Sequence, residues 1–396
     1  MKKKLIACII VLAAILLVSV FVVTDRKEKT EEKIVTEEMD GMMTLQEVRD
    51  SLPALMEKMK NGGFSNLEFD QFIPAVTDKD EIYNLSIKYP ERYRNYDNKK
   101  LVEEQIKVLK AFYGEELDYD CITDWQKERP SYKKLMKSIE DGTYNSERVP
   151  YIVYDKGEGK IHAQVEGGLT SLWIDTGTKG VSPSGNYKVL DKTYYKYATD
   201  GSLEEKYQTE DGEMSVAQAV EELEKYFNED FPIENDGGFQ YRASKIQVLE
   251  MKKGIYGFDI GYRRAYDGVL FEYEDSGTVG MRPEETADMT ESLLTGKGKV
   301  PFFNGFVGNA VVTHEGEAVK RVVSPENALQ FISQKIGNNT TYHVSGMELS
   351  YKEVMKEGYS EATLVWKVDT SNKTDKKKTI FYVNAVTGEL ISRVKG

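Results

Sequence analysis

A run of nineteen almost wholly apolar residues, from Leu5 to Val23, lies directly behind three lysines at the start of the chain. A helix that rises about 1.5 Å per residue would make this run about 28 Å long, close to the hydrocarbon thickness of a bilayer. The run lacks the small-residue cleavage pattern that ends a removable signal peptide. The sequence therefore predicts an uncleaved transmembrane anchor at residues 5–23, and the remaining fold must be built from the residues after it.

The basic residues beside this run predict which side of the membrane the body occupies. The lysines at positions 2–4 favour a cytoplasmic N-terminus, so residues 1–4 are predicted to be cytoplasmic and the C-terminal body extracytoplasmic. The basic residues at 26–29 weaken this asymmetry, which leaves a body on the cytoplasmic face as the alternative.

The composition limits the partners and the redox chemistry of the body. With 66 carboxylates against 53 Lys plus Arg, the net charge is −13, so the chain would repel nucleic acid. Cys8 lies within the apolar run and Cys121 far downstream, so the body has no possible internal disulfide. Hydrophobic residues make up 40% of the chain, which is enough to build cores in two or three domains.

Changes in residue pattern predict the domain boundaries. Residues 24–43 are charged and suit a solvated stalk. A capping box at Thr44 and Glu47 starts the first helix of a mixed α+β ectodomain at 44–212, with further helices at 99–113 and 132–139. From residue 150, short Tyr- and Val-rich runs between turn residues predict strands.

Two segments of the C-terminal half share a helix pattern. Ser215 and Ser324 are each followed by alanine four residues later and by apolar residues five and eight residues later. Both predicted helices precede β-rich sequence. The sequence therefore predicts an α+β fold class, in which the transmembrane helix and the mixed ectodomain precede two tandem units, each with a helix packed on an antiparallel sheet, at 213–295 and 296–396.

The end of the chain resembles a known type of module. Two alternating strands are joined by a lysine-rich turn, and the second runs into N-A-V-T-G-E at 384–389. A helix followed by strands that end in (D/N)-A-x-T-G-E is similar to the PepSY-type module, and the strand at 366–368 resembles the C-terminal domain of the YycH/YycI accessory regulators. The resemblance covers about residues 324–393 and, more weakly, 215–274. It gives a structural role to the turn motif Asn384, Ala385, Thr387, Gly388 and Glu389.

This resemblance implies a regulatory function without catalysis. The YycH/YycI regulators are anchored to Gram-positive membranes by one N-terminal helix and act outside the cell on a sensor kinase. The resemblance therefore implies a membrane-anchored, extracytoplasmic interaction protein that has no catalytic residues and no cofactor and binds a protein partner, either a sensor kinase or a secreted peptidase. A cell-wall glycan-binding protein and a wall-directed hydrolase that uses carboxylates in residues 44–210 stay open as alternatives.

Four lysines crowd the predicted hairpin tip near the end of the chain. Their charge suits an anionic cell-wall polymer or the acidic face of a protein partner. Alternatively, they form a solvated turn that discourages edge-to-edge pairing. Tyr or Trp side chains exposed on a strand face are the other kind of binding candidate, because aromatic anchors dominate interface energetics. The lysines are Lys373, Lys376, Lys377 and Lys378.

No pattern in the sequence predicts a metal site or a catalytic centre. The three histidines have neither zinc-site spacing nor a nearby cysteine: His162, His314 and His343. Asp118, Asp120 and Asp124 form an acidic cluster beside Trp125, but the sixth and twelfth positions counted from Asp118 are threonine and arginine rather than the glycine and glutamate of a calcium loop. The cluster is predicted to be a solvated acidic loop, and a glycosidase carboxylate pair stays open.

Overall fold

The structure is a computed structural model. It describes residues 41–70, 72, 74–89, 98–125, 130–144, 150–157, 160–167, 171–178, 187–194, 202–231, 238–272, 290–308, 310–336, 340–356 and 359–395. The predicted cytoplasmic N-terminus, the anchor at 5–23 and nearly all of the stalk lie outside these residues.

Five α-helices are found in the described parts of the chain, and the sequence signals that start three of them are confirmed. Thr44 Oγ1 accepts from the Glu47 amide, and the Glu47 carboxylate accepts from the Thr44 amide at 2.7 Å. The hydroxyl groups of Ser215 and Ser324 each accept from an amide three residues later, at 3.1 Å. The helices are α1 (Leu45–Lys60), α2 (Asn98–Tyr113), α3 (Tyr132–Glu140), α4 (Val216–Lys225) and α5 (Pro325–Lys335).

Strands make up most of the regular structure. Those in the N-terminal half are β1 (Met42–Thr44), β2 (Leu67–Phe69), β3 (Ile82–Lys88), β4 (Ile122–Asp124), β5 (Tyr151–Asp155), β6 (Ile161–Gly167), β7 (Ser171–Thr178), β8 (Lys188–Tyr194), β9 (Lys206–Thr209) and β10 (Gly212–Ser215). Those in the C-terminal half are β11 (Gln240–Lys252), β12 (Ile255–Tyr266), β13 (Val269–Glu272), β14 (Thr290–Leu294), β15 (Phe302–Gly308), β16 (Val311–Val319), β17 (Arg321–Val323), β18 (Tyr342–Met355), β19 (Ser360–Asn372), β20 (Lys378–Asn384) and β21 (Leu390–Lys395).

The predicted α+β fold class is wrong, whereas the predicted transmembrane helix at 5–23 lies outside the described residues. The structure is mostly β, with 21 strands against five helices in the residues it describes. Within those same residues, no helix has both the length and the apolarity to cross a membrane. The physical reason is that many strands here are buried on both faces and lack clean alternation, whereas short amphipathic helices give a strong signal with a period of 3.6 residues.

Nine strands form a first sheet that is antiparallel throughout. Its order is β8–β11–β12–β14–β15–β7–β6–β5–β4. Apolar side chains on its inner face pack against α2, α3 and α4 and form the first core. Because successive side chains of a strand alternate between faces, the intervening residues of β5, β6 and β7 face outward.

A second sheet is built around the hairpin of β18 and β19. These strands pair from Tyr342 with Asn372 to Met355 with Ser360, and β20 and β21 extend the sheet beyond β19. At one end β3 also pairs with β19, and β16 pairs with β3. The sheet packs against α1 and α5 to form the second core.

One strand joins the two sheets. β13 follows β12 through a tight turn, pairs with β12 in antiparallel fashion, and pairs with β18 in parallel fashion. The two halves are therefore continuous through backbone hydrogen bonds in the order β12–β13–β18.

The two cores combine segments that are far apart in sequence. Residues 45–89 share the second core with residues 310–390, whereas the first core combines residues 101–174 with 194–262 and parts of β14 and β15. The domain boundaries proposed from the sequence stay predictions. What the structure adds is that residues 45–89 pack with residues 310–390.

Candidate functional site

The turn motif at the end of β20 forms a compact hydrogen-bonded turn. The Asn384 side-chain oxygen accepts from the amides of Val386 and Thr387 at 2.8 and 2.9 Å, and the Gly388 amide donates to the Asn384 carbonyl at 2.8 Å. Ala385 is buried and links the turn to β19 through Leu364. These contacts close the turn before β21, so hydrogen bonds inside the turn fix the conformation of the turn.

Gly388 occupies the left-handed region, with φ at 74°. We expect Gly388→Ala to lower the free energy of unfolding by about 1–2 kcal/mol, because an L side chain is strained there. Gly388→Asn is the matched control, since asparagine tolerates this conformation far better. Chemical denaturation of both variants checks the prediction, and equal stability of the alanine variant and the wild type would contradict it.

The four sequence-predicted lysines meet at the tip of the β19–β20 hairpin and are called the lysine tip: Lys373, Lys376, Lys377 and Lys378. All four side chains are exposed. Lys373 Nζ contacts Glu68 Oε1 at 2.6 Å, and this hydrogen bond holds the pKa of the Glu68 carboxyl below its usual range. In the described residues, no carboxylate forms an ion pair with the other three lysines, so the tip carries excess positive charge.

The base of the lysine tip is fixed by neighbouring strands. The Lys373 amide donates to the Thr341 carbonyl at 2.9 Å, and His343 Nε2 lies 2.8 Å from Asp70 Oδ1 just after β2. The Lys377 amide donates to Asp375 Oδ1 at 3.0 Å. Hydrogen bonds to neighbouring residues therefore fix the position of the lysine tip.

One exposed and two half-buried aromatic side chains lie on the outer surface of the first sheet. They are Trp125, Tyr151 and Trp173, and together they are called the aromatic face. Trp125 follows β4 and is 45% exposed. Its ring centroid lies 5.7 Å from that of Tyr151, which lies 5.9 Å from that of Trp173. The three rings thus form a row of aromatic contacts that runs from the end of β4 over β5 to β7, on the other side of β6.

Three polar side chains lie beside the aromatic face and are called the polar row: His162, Gln164 and Asn304. The Tyr151 hydroxyl donates to Gln164 Oε1, and the Gln164 amide nitrogen lies 2.7 Å from His162 Nε2. On the other side, Trp173 Nε1 donates to Asn304 Oδ1 at 3.0 Å. The rings and the planar polar groups therefore hold one another in position.

Two carboxylates lie on this surface. Burial raises the pKa of the Tyr151 hydroxyl, and the negative charges of Glu166 and Asp175 raise it further. Glu166 pairs with Tyr151 across β5 and β6 and with Trp173 across β6 and β7. The aromatic face thus has an acidic side chain between two of its rings.

The acidic cluster predicted as a solvated loop holds local structure. Asp118 Oδ1 accepts from the Asp120 amide at 3.1 Å at the start of a short 3₁₀ turn. Asp124 is fully buried, where it accepts from the Tyr144 hydroxyl at 3.1 Å and the Tyr151 amide at 3.2 Å. Asp124 therefore orients the backbone of the aromatic face. In the part of the chain that the structure describes, no cluster of three or more His, Cys, Asp or Glu side chains is arranged to hold a metal ion.

Sequence reasoning missed two sets of buried charges where the sheets join. The first, called the junction cluster, consists of Arg263, Glu272, Glu348 and Lys367. Arg263 Nη2 lies 3.0 Å from Glu348 Oε1, Lys367 Nζ lies 3.0 and 3.1 Å from Glu272 and Glu348, and Arg263 also pairs with Glu272. These residues come from β12, β13, β18 and β19, so their ion pairs link the side chains of the two sheets where the sheets join.

The second set surrounds Arg264, which follows Arg263 in β12 and therefore lies on the opposite face of that strand. Arg264 Nη2 donates to the Tyr89 hydroxyl at 2.6 Å and to Glu353 Oε2 at 3.1 Å, and Ser360 donates to Glu353. The Arg264 guanidinium also lies 4.4 Å from the ring centroid of Phe239. No local sequence pattern announces either set, because their members are distant in sequence.

Comparison with known proteins adds information about the fold. No protein-family model and no curated protein match the chain. A crystal structure of an uncharacterized protein from Eubacterium rectale ATCC 33656 matches with a TM-score of 0.53 at 14% identity, covering 83% of this chain and 91% of that one. The Bacillus megaterium YpeB C-terminal domain matches with a TM-score of 0.22 at 11% identity, over 67% of this chain and 97% of that one. The chain therefore resembles the Eubacterium rectale protein in fold.

Proposed function

We propose that the chain is a non-enzymatic interaction protein of the cell envelope that binds a protein partner, a sensor kinase or a secreted peptidase, outside the cytoplasm. The apolar run from Leu5 to Val23 supports a position at the membrane. The likeness of residues 324–393 to PepSY-type modules and YycH/YycI regulators supports a regulatory role. A charged hairpin end that neighbouring strands fix in place suits binding of a partner rather than catalysis.

The observation that carries this proposal is the excess charge of the lysine tip. Lys376, Lys377 and Lys378 are exposed at the end of a long hairpin, whereas the chain as a whole carries a net charge of −13. A local positive patch on an acidic protein steers an acidic surface of a partner towards that patch and fixes its register. The partner surface is therefore proposed to be acidic.

Reversing the charge of the tip is expected to abolish partner capture. We expect the triple variant Lys376→Glu, Lys377→Glu and Lys378→Glu to recover at least about tenfold less partner after crosslinking in intact cells, because like charges then face each other across the contact. The measurement is copurification through a C-terminal tag on the full chain. Lys252→Glu with Lys253→Glu is the matched control, since both lysines lie at the tip of the β11–β12 hairpin.

Two results would contradict the proposal. The first is that the wild-type protein, purified from crosslinked cells, carries no partner protein in a stoichiometric amount. The second is equal recovery with the lysine-tip variant and the control.

A second candidate function is binding of cell-wall glycan. The observation that favours it is the aromatic face with its polar row, which lies on the other sheet and shares no residue with the lysine tip. The two functions can therefore be tested by separate substitutions.

A further inference from the structure

The aromatic face exposes apolar surface where the fold does not require it. The inner face of β5, β6 and β7 is filled by Ile152, Val165 and Ile174, all fully buried in the first core. The outward positions contribute nothing to that core, yet one of them carries Trp173 and another Tyr151. Large aromatic side chains placed on the water side of a sheet and locked by hydrogen bonds are typical of a binding surface.

The charges at the described outward positions disfavour anionic ligands. None of the described outward positions of β4, β5, β6, β7 and β15 is lysine or arginine. Glu166 lies between Tyr151 and Trp173, and Asp175 lies two residues after Trp173, so both would repel phosphate or carboxylate groups. At these described positions, an anionic polymer would therefore find no lysine or arginine to pair with.

The hydrogen-bonding groups suit hydroxyl groups. An amide side chain has two N–H donors and an oxygen acceptor, so Asn304, whose oxygen accepts from Trp173, still has donors to offer. Gln164 adds a second amide group, whose nitrogen has one N–H beyond its contact with His162, and Glu166 can accept from a hydroxyl. A sugar ring presents C–H groups on its faces and hydroxyls at its edge, which matches an aromatic surface beside planar amides.

We infer that the aromatic face is a binding site for a neutral glycan chain. The Trp125 ring stacks on a sugar ring, Tyr151 and Trp173 extend the apolar surface to the next sugar, and the polar row binds the hydroxyl groups. A basic protein segment is the competing occupant, because Glu166 and Asp175 are acidic, but it would leave the polar row without charged partners. This inference rests on the second candidate function, glycan binding, and is independent of the protein partner proposed for the lysine tip.

The tryptophans provide a direct probe of this site. The chain has three tryptophans, of which Trp125 and Trp173 belong to the aromatic face and Trp366 is fully buried in the other core. The full chain, purified in a detergent that has no sugar headgroup, is titrated with chitopentaose and cellopentaose while tryptophan fluorescence is recorded. A saturable change is expected for at least one of the two, with a Kd on the order of 0.1 mM.

Substitutions assign that response to the face. Trp125→Ala is expected to weaken binding at least tenfold, and its exposed position keeps the fold intact, as circular dichroism would verify. Tyr359→Ala, which removes another exposed aromatic residue at 40% exposure, is expected to bind like the wild type. Gln164→Ala is expected to weaken binding without removing the fluorescence of either tryptophan on the face.

Three outcomes would overturn the inference. One is no saturable response to either oligosaccharide up to about 10 mM, where even weak specific binding would be visible. Another is equal binding by Trp125→Ala and the wild type. The third is Trp125-dependent binding of decalysine or polyphosphate that is tighter than that of both oligosaccharides. None of these outcomes bears on the lysine tip, so failure here leaves partner capture to be judged separately.

Discussion

Glu353→Ala is expected to lower the free energy of unfolding by about 3–5 kcal/mol, because it removes the carboxylate that pairs with the buried Arg264 guanidinium. Both side chains are 1% exposed. Glu353 also accepts from the Tyr89 and Ser360 hydroxyls, so its removal deprives two further buried groups of their partner. Chemical denaturation followed by the fluorescence of the buried Trp366 measures the change.

A double substitution separates the effect of the two charges on stability from the effect of packing. Arg264→Met combined with Glu353→Met removes both charges and retains apolar volume, so we expect it to be much less destabilising than Glu353→Ala. If the double variant were as unstable as the single one, packing rather than charge would be the cause. If Glu353→Ala unfolded at the same denaturant concentration as the wild type, the prediction would be wrong.

The junction cluster is expected to make the fold sensitive to acid between about pH 4.5 and pH 2. Burial raises the pKa of Glu348, but the charges of Arg263 and Lys367 outweigh this effect and lower the pKa to about 2, against 4.5 for an ordinary glutamate. A carboxyl group with a lowered folded-state pKa stabilises the fold above its unfolded pKa and loses that contribution as the pH falls.

The acid sensitivity is checked by denaturation at a series of pH values. In Glu348→Gln we expect a lower free energy of unfolding near neutral pH and a shallower decline between pH 4.5 and pH 2. Asp369 acts in the opposite direction, because burial raises its pKa and its protonation favours the folded state as the pH falls. An equally steep decline in Glu348→Gln and the wild type would assign the acid sensitivity to other carboxylates.

Helix starts were the part of this fold that sequence predicted well. The capping residues Thr44, Ser215 and Ser324 each act on an amide three residues later, so the signal and the contact lie within one turn. The same holds for the turn closed by Asn384. Local hydrogen bonds can be read from local sequence.

The sheets and both buried charge sets could not be predicted in this way. Pairing of β13 with β18 joins residues about eighty positions apart, and Arg264 meets Tyr89 across an even longer separation. The wrong fold class has the same origin. A helix is predicted from the pattern of one segment, whereas a strand also depends on hydrogen bonds to another segment that the local pattern does not identify. The aromatic face was foreseen only as a type of feature, since alternation shows which residues share a face but not which face is packed.

The shared core of α1 and the C-terminal sheet has a consequence for the order of folding. β1 pairs with β17, nearly three hundred residues later, and α1 buries its apolar stripe against segments between residues 310 and 390. During synthesis, α1 is made long before these segments and must wait for them before its stripe is covered. A chain that stopped before residue 310 would leave the apolar stripe of α1 exposed to water, so any shortened form of the protein should bind hydrophobic surfaces and chaperones through α1.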